Sequence, residues 1–291
     1  MRNILLPLFV LLNLSLSAQT QEKSLFWEVS GNGLEKSSYI YGTMHVQDER
    51  VFEFSDRVYQ SLESADVYCM EINMDSVNQL GVMSKMMLPK GTELKDLITK
   101  EEYDSISKFF QDSLGQNIAV YKSMMPIMVS QVISLQDLNI DQELALDVHF
   151  ASKAKEAGKP VVGLEKMDDQ INAITSIPFE SQAGMLMKIV RDKMKGTGES
   201  EIDDLMDLYV QGDLNGMLEY ANEYTGQDQV AELLFSERLL ERRNLKMAYG
   251  MEILMKKNHS LFVAVGAAHL GGRLGVIQML RDKGYTVTPA N

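Results

Sequence analysis

Ser38-Tyr39-Ile40-Tyr41-Gly42-Thr43-Met44-His45 and, far along the chain, Phe262-Val263-Ala264-Val265-Gly266-Ala267-Ala268-His269 follow one figure: a short apolar run, a glycine, two more residues and a histidine. Each run reads as a buried strand, and the glycine is expected to let the backbone turn sharply before it presents an imidazole at the strand's carboxyl end. In open α/β sheets that edge is where ligands bind. The chain has 4 histidines, and two of them hold this matched position. If the two strands are neighbours in one sheet, both rings converge on a single site.

Working outward, Leu25 to Ser30 and Ser37 to Tyr41 read as a hairpin around Gly31-Asn32-Gly33. Helical spacing at Val51, Phe54, Val58 and Leu62 precedes a strand over 67–72, which places Glu71 near its end. Residues 76 to about 136 read as interrupted helices, with Pro126 at a helix start or kink. A helix over 141–157 closed by Gly158 leads to a strand over 161–164 with Glu165 at its end. Residues 167–257 read as nearly all helix, with breaks near 196–198, 212–213 and 226. A strand over 260–265, a helix over 270–283 and a strand over 285–288 follow, an order that suggests parallel pairing at this end. The expected fold class is α/β: a mixed central sheet flanked by many helices.

Met1 to Ala18 carries Arg2, an apolar stretch from Ile4 to Leu14 and a small-residue end, the pattern of a secretory signal peptide. Residues 19–291 are then expected to form a single α/β domain with helical insertions, exported to a periplasm or secreted, with no stable membrane span after signal cleavage. The sole cysteine, Cys69, lies in an apolar run, so no intramolecular disulfide is available. A net charge of −13 argues against nucleic acid as a partner. The 20 methionines cluster partly at Met83 to Met87 and Met124 to Met128, a pattern that reads as adaptable core more readily than as a peptide groove.

His45, Glu71, Glu165 and His269 all lie at or just past the ends of apolar runs. Two imidazoles and two carboxylates suit a divalent ion such as Mn, Co or Zn, which activates water and polarises a carbonyl. A carboxylate off the metal could serve as general base. The competing reading makes Glu71 and Glu165 structural partners of Arg242 or Arg243, which lie in a charged run that ordinarily marks a solvated helix face. Asp147 and His149 lie two apart on a helix, so they cannot both face one site. There is no H-E-x-x-H helix and no G-x-S-x-G elbow. Gly271-Gly272-Arg273-Leu274-Gly275 is glycine-rich, but its spacing is not that of a dinucleotide loop.

The ordered set of Gly42-Thr43-Met44-His45, Glu71, Leu88-Pro89 with Gly91-Thr92, Asp147, Val161-Val162-Gly163-Leu164-Glu165 with Gln170, Arg243-Asn244 and Gly266-Ala267-Ala268-His269 resembles the TraB/GumN family, which includes the TIKI metalloproteases. The resemblance implies a fold akin to the erythromycin esterase and ChaN-like proteins and metal-dependent cleavage of a peptide or secreted protein substrate. By the same resemblance His45 and His269 match metal-linked histidines, Glu71, Glu165 and Arg243 match catalytic positions, and Asp147 and Asn244 are further site candidates. The expected activity is that of an exported metal-dependent peptidase. Its rival is a non-catalytic protein that sequesters a peptide or haem-like ligand in the same cleft.

Overall fold

The computed structural model describes residues 23–137, 139–196, 201–223 and 229–290. The segment 1–18 read as a signal peptide and the helix breaks expected at 197–198 and 226 lie outside these. A six-stranded sheet runs in the order β4-β3-β5-β2-β1-β6, with β1 Phe26–Ser30, β2 Ser38–Thr43, β3 Val67–Met70, β4 Val161–Gly163, β5 Leu261–Gly266 and β6 Thr286–Pro289. β4, β3, β5 and β2 pair in parallel, while β1 is antiparallel to β2 and to β6. The central strands β3 and β5 are covered on both faces, which is why they read as continuous apolar runs. β6 alternates exposed and buried residues, as an edge strand does.

The register puts Phe26, Tyr41, Phe262 and Tyr68 on one face of the sheet. Phe150 of the helix Leu146–Glu156 covers it, with ring centroids 5.4 Å from Phe262 and 5.6 Å from Tyr41. Trp27, Ile40, Val263 and Cys69 point to the other face. There the helix Val276–Asp282 lays Arg281 over the Trp27 ring at 5.6 Å, and the helix Arg242–Met255 lies beside it. A satellite core of Ile106, Phe110, Val129, Ile133, Leu186 and Val190 joins the helices Lys100–Leu114, Pro126–Ser134 and Phe179–Met194. Among the described residues no helix is long and apolar enough to cross a membrane.

Several expectations need correction. β6 does not pair with β5: it crosses past β2 and adds to β1 at the far edge. The helix expected over 141–157 begins only at Leu146, because the Asp141 and Gln142 N–H groups donate to the Gln47 carbonyl instead of starting a helical turn. The helix expected over 270–283 begins only at Val276, since residues 271–275 fold as a tight loop. The methionine clusters divide: Met125 is buried, whereas Met83 and Met87 are exposed.

Candidate metal centre

β2 and β5 are neighbours in parallel register, with Thr43 opposite Gly266, so the two G-x-x-H segments leave the sheet side by side. Neither glycine has a positive φ, so the turn they were expected to supply is not their role. They provide space. A Cβ on Gly42 would stand 3.1 Å from the Ala267 Cβ, and one on Gly266 would stand 3.1 Å from Glu71 Oε1. The first glycine lets the motifs abut; the second lets a carboxylate reach the backbone. Glu71 Oε1 accepts from the Gly266 N–H at 2.7 Å.

Both imidazoles turn Nε2 toward that oxygen, at 3.9 Å for His45 and 3.7 Å for His269. Each Nδ1 is held from behind. His269 Nδ1 lies 2.6 Å from Asn244 Oδ1. The Asn244 amide is fixed by Nδ2 donating to the Leu274 carbonyl at 2.8 Å, so Oδ1 is the acceptor and His269 carries its hydrogen on Nδ1. His45 Nδ1 stands 3.1 Å from Asp147 Oδ1, an ion pair off the hydrogen-bond line, and that oxygen is buried with no hydrogen-bond partner. The Tyr68 hydroxyl donates to the Asp147 carbonyl at 2.7 Å and so fixes the start of that helix. His149, as its spacing from Asp147 requires, points elsewhere and meets the Tyr59 hydroxyl at 3.0 Å.

The second half of the cluster is a charge lock. Arg243 Nη2 bonds Glu71 Oε2 at 2.6 Å and also Glu165 Oε1, while its Nε bonds both Glu165 oxygens at 3.0 and 3.1 Å. Gln170 Nε2 donates to Glu71 Oε2 at 3.0 Å and to Glu165 Oε1 at 3.1 Å. Arg243 is therefore only 12 % exposed at its side chain, and the solvated face expected for this run belongs to its neighbour Arg242, which pairs with Glu237 at 2.6 Å. A π-helical turn, Phe235–Glu241, precedes Arg243 and offers the Leu239 carbonyl to its Nη1 at 3.0 Å. Such turns often occur at functional sites, and nothing in the composition of this segment marks it in advance. Gln170 entered the sequence reading only as part of the family pattern; its bridging of two carboxylates becomes visible once β3 and β4 are paired.

Burial drives the His269 pKa down to about 4 against the pull of Glu71, so the ring is neutral near pH 7. Desolvation also opposes charge on His45, but its side chain is 55 % open to solvent, and Asp147 and Glu71 raise it to about 9. For Glu71, burial favours the neutral acid, yet His269, His45, Arg243 and the Gly266 N–H hold it down at about 2. With His269 neutral, the last three carry that effect at neutral pH. Cys69 is buried and pushed up to about 12 by desolvation, which leaves it inert as a nucleophile.

Among the described residues no three His, Cys, Asp or Glu side chains form a closed ligand cluster. Donors on one zinc ion stand roughly 3–3.5 Å apart when each bond is about 2.0–2.2 Å long. The two Nε2 atoms lie a few tenths of an ångström beyond that range from Glu71 Oε1. The donor chemistry fits a divalent ion: a neutral imidazole, a second imidazole backed by a carboxylate that would give up its proton on binding, and a carboxylate oxygen anchored by the Gly266 N–H.

A mixed α/β sheet that gathers two histidines and two glutamates at the ends of parallel strands defines the class of this protein. A model of the TraB/PrgY/gumN family matches residues 25–289, and the chain belongs to that family. It is 23% identical to metalloprotease TIKI1 of Danio rerio over 94% of this chain and 64% of that protein. It is 22% identical to metalloprotease TIKI1 of Homo sapiens over 94% and 63%. The protein YbaP of Escherichia coli (strain K12) is 23% identical over 84% of this chain and 87% of its own length. The chain thus spans less than two thirds of the length of these TIKI relatives. No solved structure matches it.

Proposed function

We propose that the chain is an exported, metal-dependent peptidase, with a peptide or secreted protein as its substrate. The observation that carries this reading is the convergence of His45 Nε2 and His269 Nε2 on Glu71 Oε1, each ring held at Nδ1 by a second residue. His45, His269 and Glu71 are the residues that would hold a divalent ion, Mn, Co or Zn. Bound there, the ion would activate water and polarise the scissile carbonyl.

The rest of the chemistry belongs to the protein. Asp147 and Asn244 hold the two imidazoles so that Nε2 faces the centre. Gly266 N–H fixes one Glu71 oxygen, and Arg243 with Gln170 fixes the other. Glu165, with a fully buried side chain and both oxygens on Arg243, acts as the counter-ion that positions Arg243 and not as a ligand. Of the guanidinium's five N–H donors, one on Nη1 has no partner among the described residues, and it is the one Arg243 could offer to developing charge on a substrate oxygen. His45, more than half exposed, lies on the side from which substrate approaches.

Elemental analysis after loading with Mn, Co or Zn, beside the His45→Ala/His269→Ala double variant, tests the site. Near-stoichiometric metal in the parent and none in the variant supports it, and a peptide pool incubated with the loaded protein then tests cleavage. Equal or negligible metal in both sinks the metal assignment. Metal bound with all peptides recovered intact would favour the reading that the cleft sequesters a peptide or haem-like ligand.

A further inference from the structure

The glycine-rich loop at 271–275 begins two residues after His269 and reaches the histidine–glutamate cluster through the Leu274 carbonyl that Asn244 holds. With the π-helical turn Phe235–Glu241 and the helix Leu214–Glu223 it walls a cleft of about 220 Å³. Leu218, Leu240 and Leu274 give the cleft its apolar lining, and Glu241 and Arg273 add one charge of each sign. Asn244 forms a shared wall: the same amide that holds His269 Nδ1 also holds the Leu274 carbonyl. The loop is built to stay tight. Gly272 has φ +75°, a Cβ there would meet Leu218 Cδ1 at 3.0 Å, and its N–H donates to Asn215 Oδ1 at 3.0 Å.

Glu241 accepts from the Ser236 hydroxyl at 3.1 Å. Among the described residues no cation pairs with Glu241 and no carboxylate pairs with Arg273. An acceptor and a donor therefore flank leucine side chains next to the proposed centre. A pocket for a whole small molecule occupies roughly 300–1,000 Å³. This cleft is smaller and suits one large side chain.

We infer that the cleft is a specificity subsite for one large apolar side chain, such as Leu, Met or Phe, of a peptide lying across the His45–His269 centre. Leu218, Leu240 and Leu274 take the side chain, while Glu241 and Arg273 accept from and donate to the main chain beside it. The inference rests on the peptidase reading for its setting, but occupation of the cleft does not require cleavage.

The test is a titration of the full chain with N-acetyl-leucinamide, N-acetyl-alaninamide and N-acetyl-aspartamide, following the amide resonances of Gly271, Gly272 and Leu274. The leucine compound should saturate these resonances at least about tenfold more tightly than the alanine compound. Leu218→Trp, which fills the cleft from the helix Leu214–Glu223, should abolish the shifts with metal content unchanged, and Leu218→Ala, which enlarges it, should narrow the preference. Equal response to all three compounds, or shifts that survive Leu218→Trp, would overturn the subsite. Binding of the leucine compound at the loop without cleavage of any peptide would end the peptidase reading and leave the subsite standing. Cleavage of a peptide pool with no side-chain preference would do the reverse.

Discussion

Gly266 is the residue on which the proposed centre is most sensitive to a single methyl group. Alanine there would set a carbon 3.1 Å from Glu71 Oε1, tighter than nine in ten such contacts, so the carboxylate would have to shift by a few tenths of an ångström against the N–H it accepts from. Gly266→Ala should weaken metal binding by about 10–100-fold, the range seen when supporting partners of metal ligands are lost. Isothermal titration with zinc checks this, and unchanged affinity would remove Glu71 from the ligand set. Arg243 offers the opposite kind of sensitivity. Arg243→Met would leave Glu71 and Glu165 facing one another without their shared cation, so urea unfolding should show a loss of about 3–5 kcal/mol. Arg243→Lys should recover little of it, because an ammonium cannot span Nε and Nη2 contacts to two carboxylates. Full stability in either variant would show that the carboxylates are neutralised by some other route.

Two non-helical segments hold the His45–Asp147 contact at the scale of elements. Gln47, just after the first motif, donates from Nε2 to the carbonyls of Gln142 and Glu143 at 2.9 and 2.8 Å. Its own carbonyl accepts from the Asp141 and Gln142 N–H groups at 3.0 and 2.9 Å. This strap ties the loop after His45 to the segment before Asp147. Gln47→Ala removes the side-chain half of the strap and should lower hydrogen-exchange protection in 141–145 while β2 and β5 keep theirs. Metal affinity should fall in the same variant, and protection unchanged in 141–145 would mean the backbone bonds suffice. The strap also explains what was not legible. Residues 141–145 carry helical spacing, but the Asp141 and Gln142 N–H groups are claimed by a residue distant in sequence, and periodicity sees only local neighbours. The strand-end positions of His45, Glu71 and His269 were legible because buried parallel strands leave apolar runs whose ends are easy to mark, and that of Glu165 because a short apolar run, half-buried at the sheet edge, precedes it. Asn244 and Asp147 entered by family likeness, since their roles depend on which ring each helix start meets.

The whole molecule shows the same divide between what short-range pattern can carry and what only assembly decides. The runs that became strands were visible, yet the place of β6 was not, because the choice between pairing with β5 and crossing to β1 depends on which edge is free. The depth of the sheet also fixes how the protein should respond to acid. Asp66 joins the start of β3 to the start of β5: its Oδ2 accepts from the Ser260 N–H and hydroxyl, each at 2.9 Å, and its carboxylate pairs with Lys36 at 3.1 Å. The Ser260 N–H, ahead of the opposing effect of burial and with help from Lys36, lowers its pKa to about 2. An unfolded Asp titrates near 3.9, so the unfolded chain binds this proton first as pH falls. The stabilisation from Asp66 is therefore complete above about pH 4 and is lost as pH drops toward 2. Because about a third of the side chain is open to solvent, screening reduces the effect to on the order of 1 kcal/mol. Urea midpoints measured at pH 5, 4, 3 and 2 should fall more steeply for the parent than for Asp66→Asn, which keeps an accepting oxygen but has no proton to gain. Parallel slopes in the two proteins would place the acid sensitivity in other carboxylates and leave the β3–β5 junction insensitive to pH.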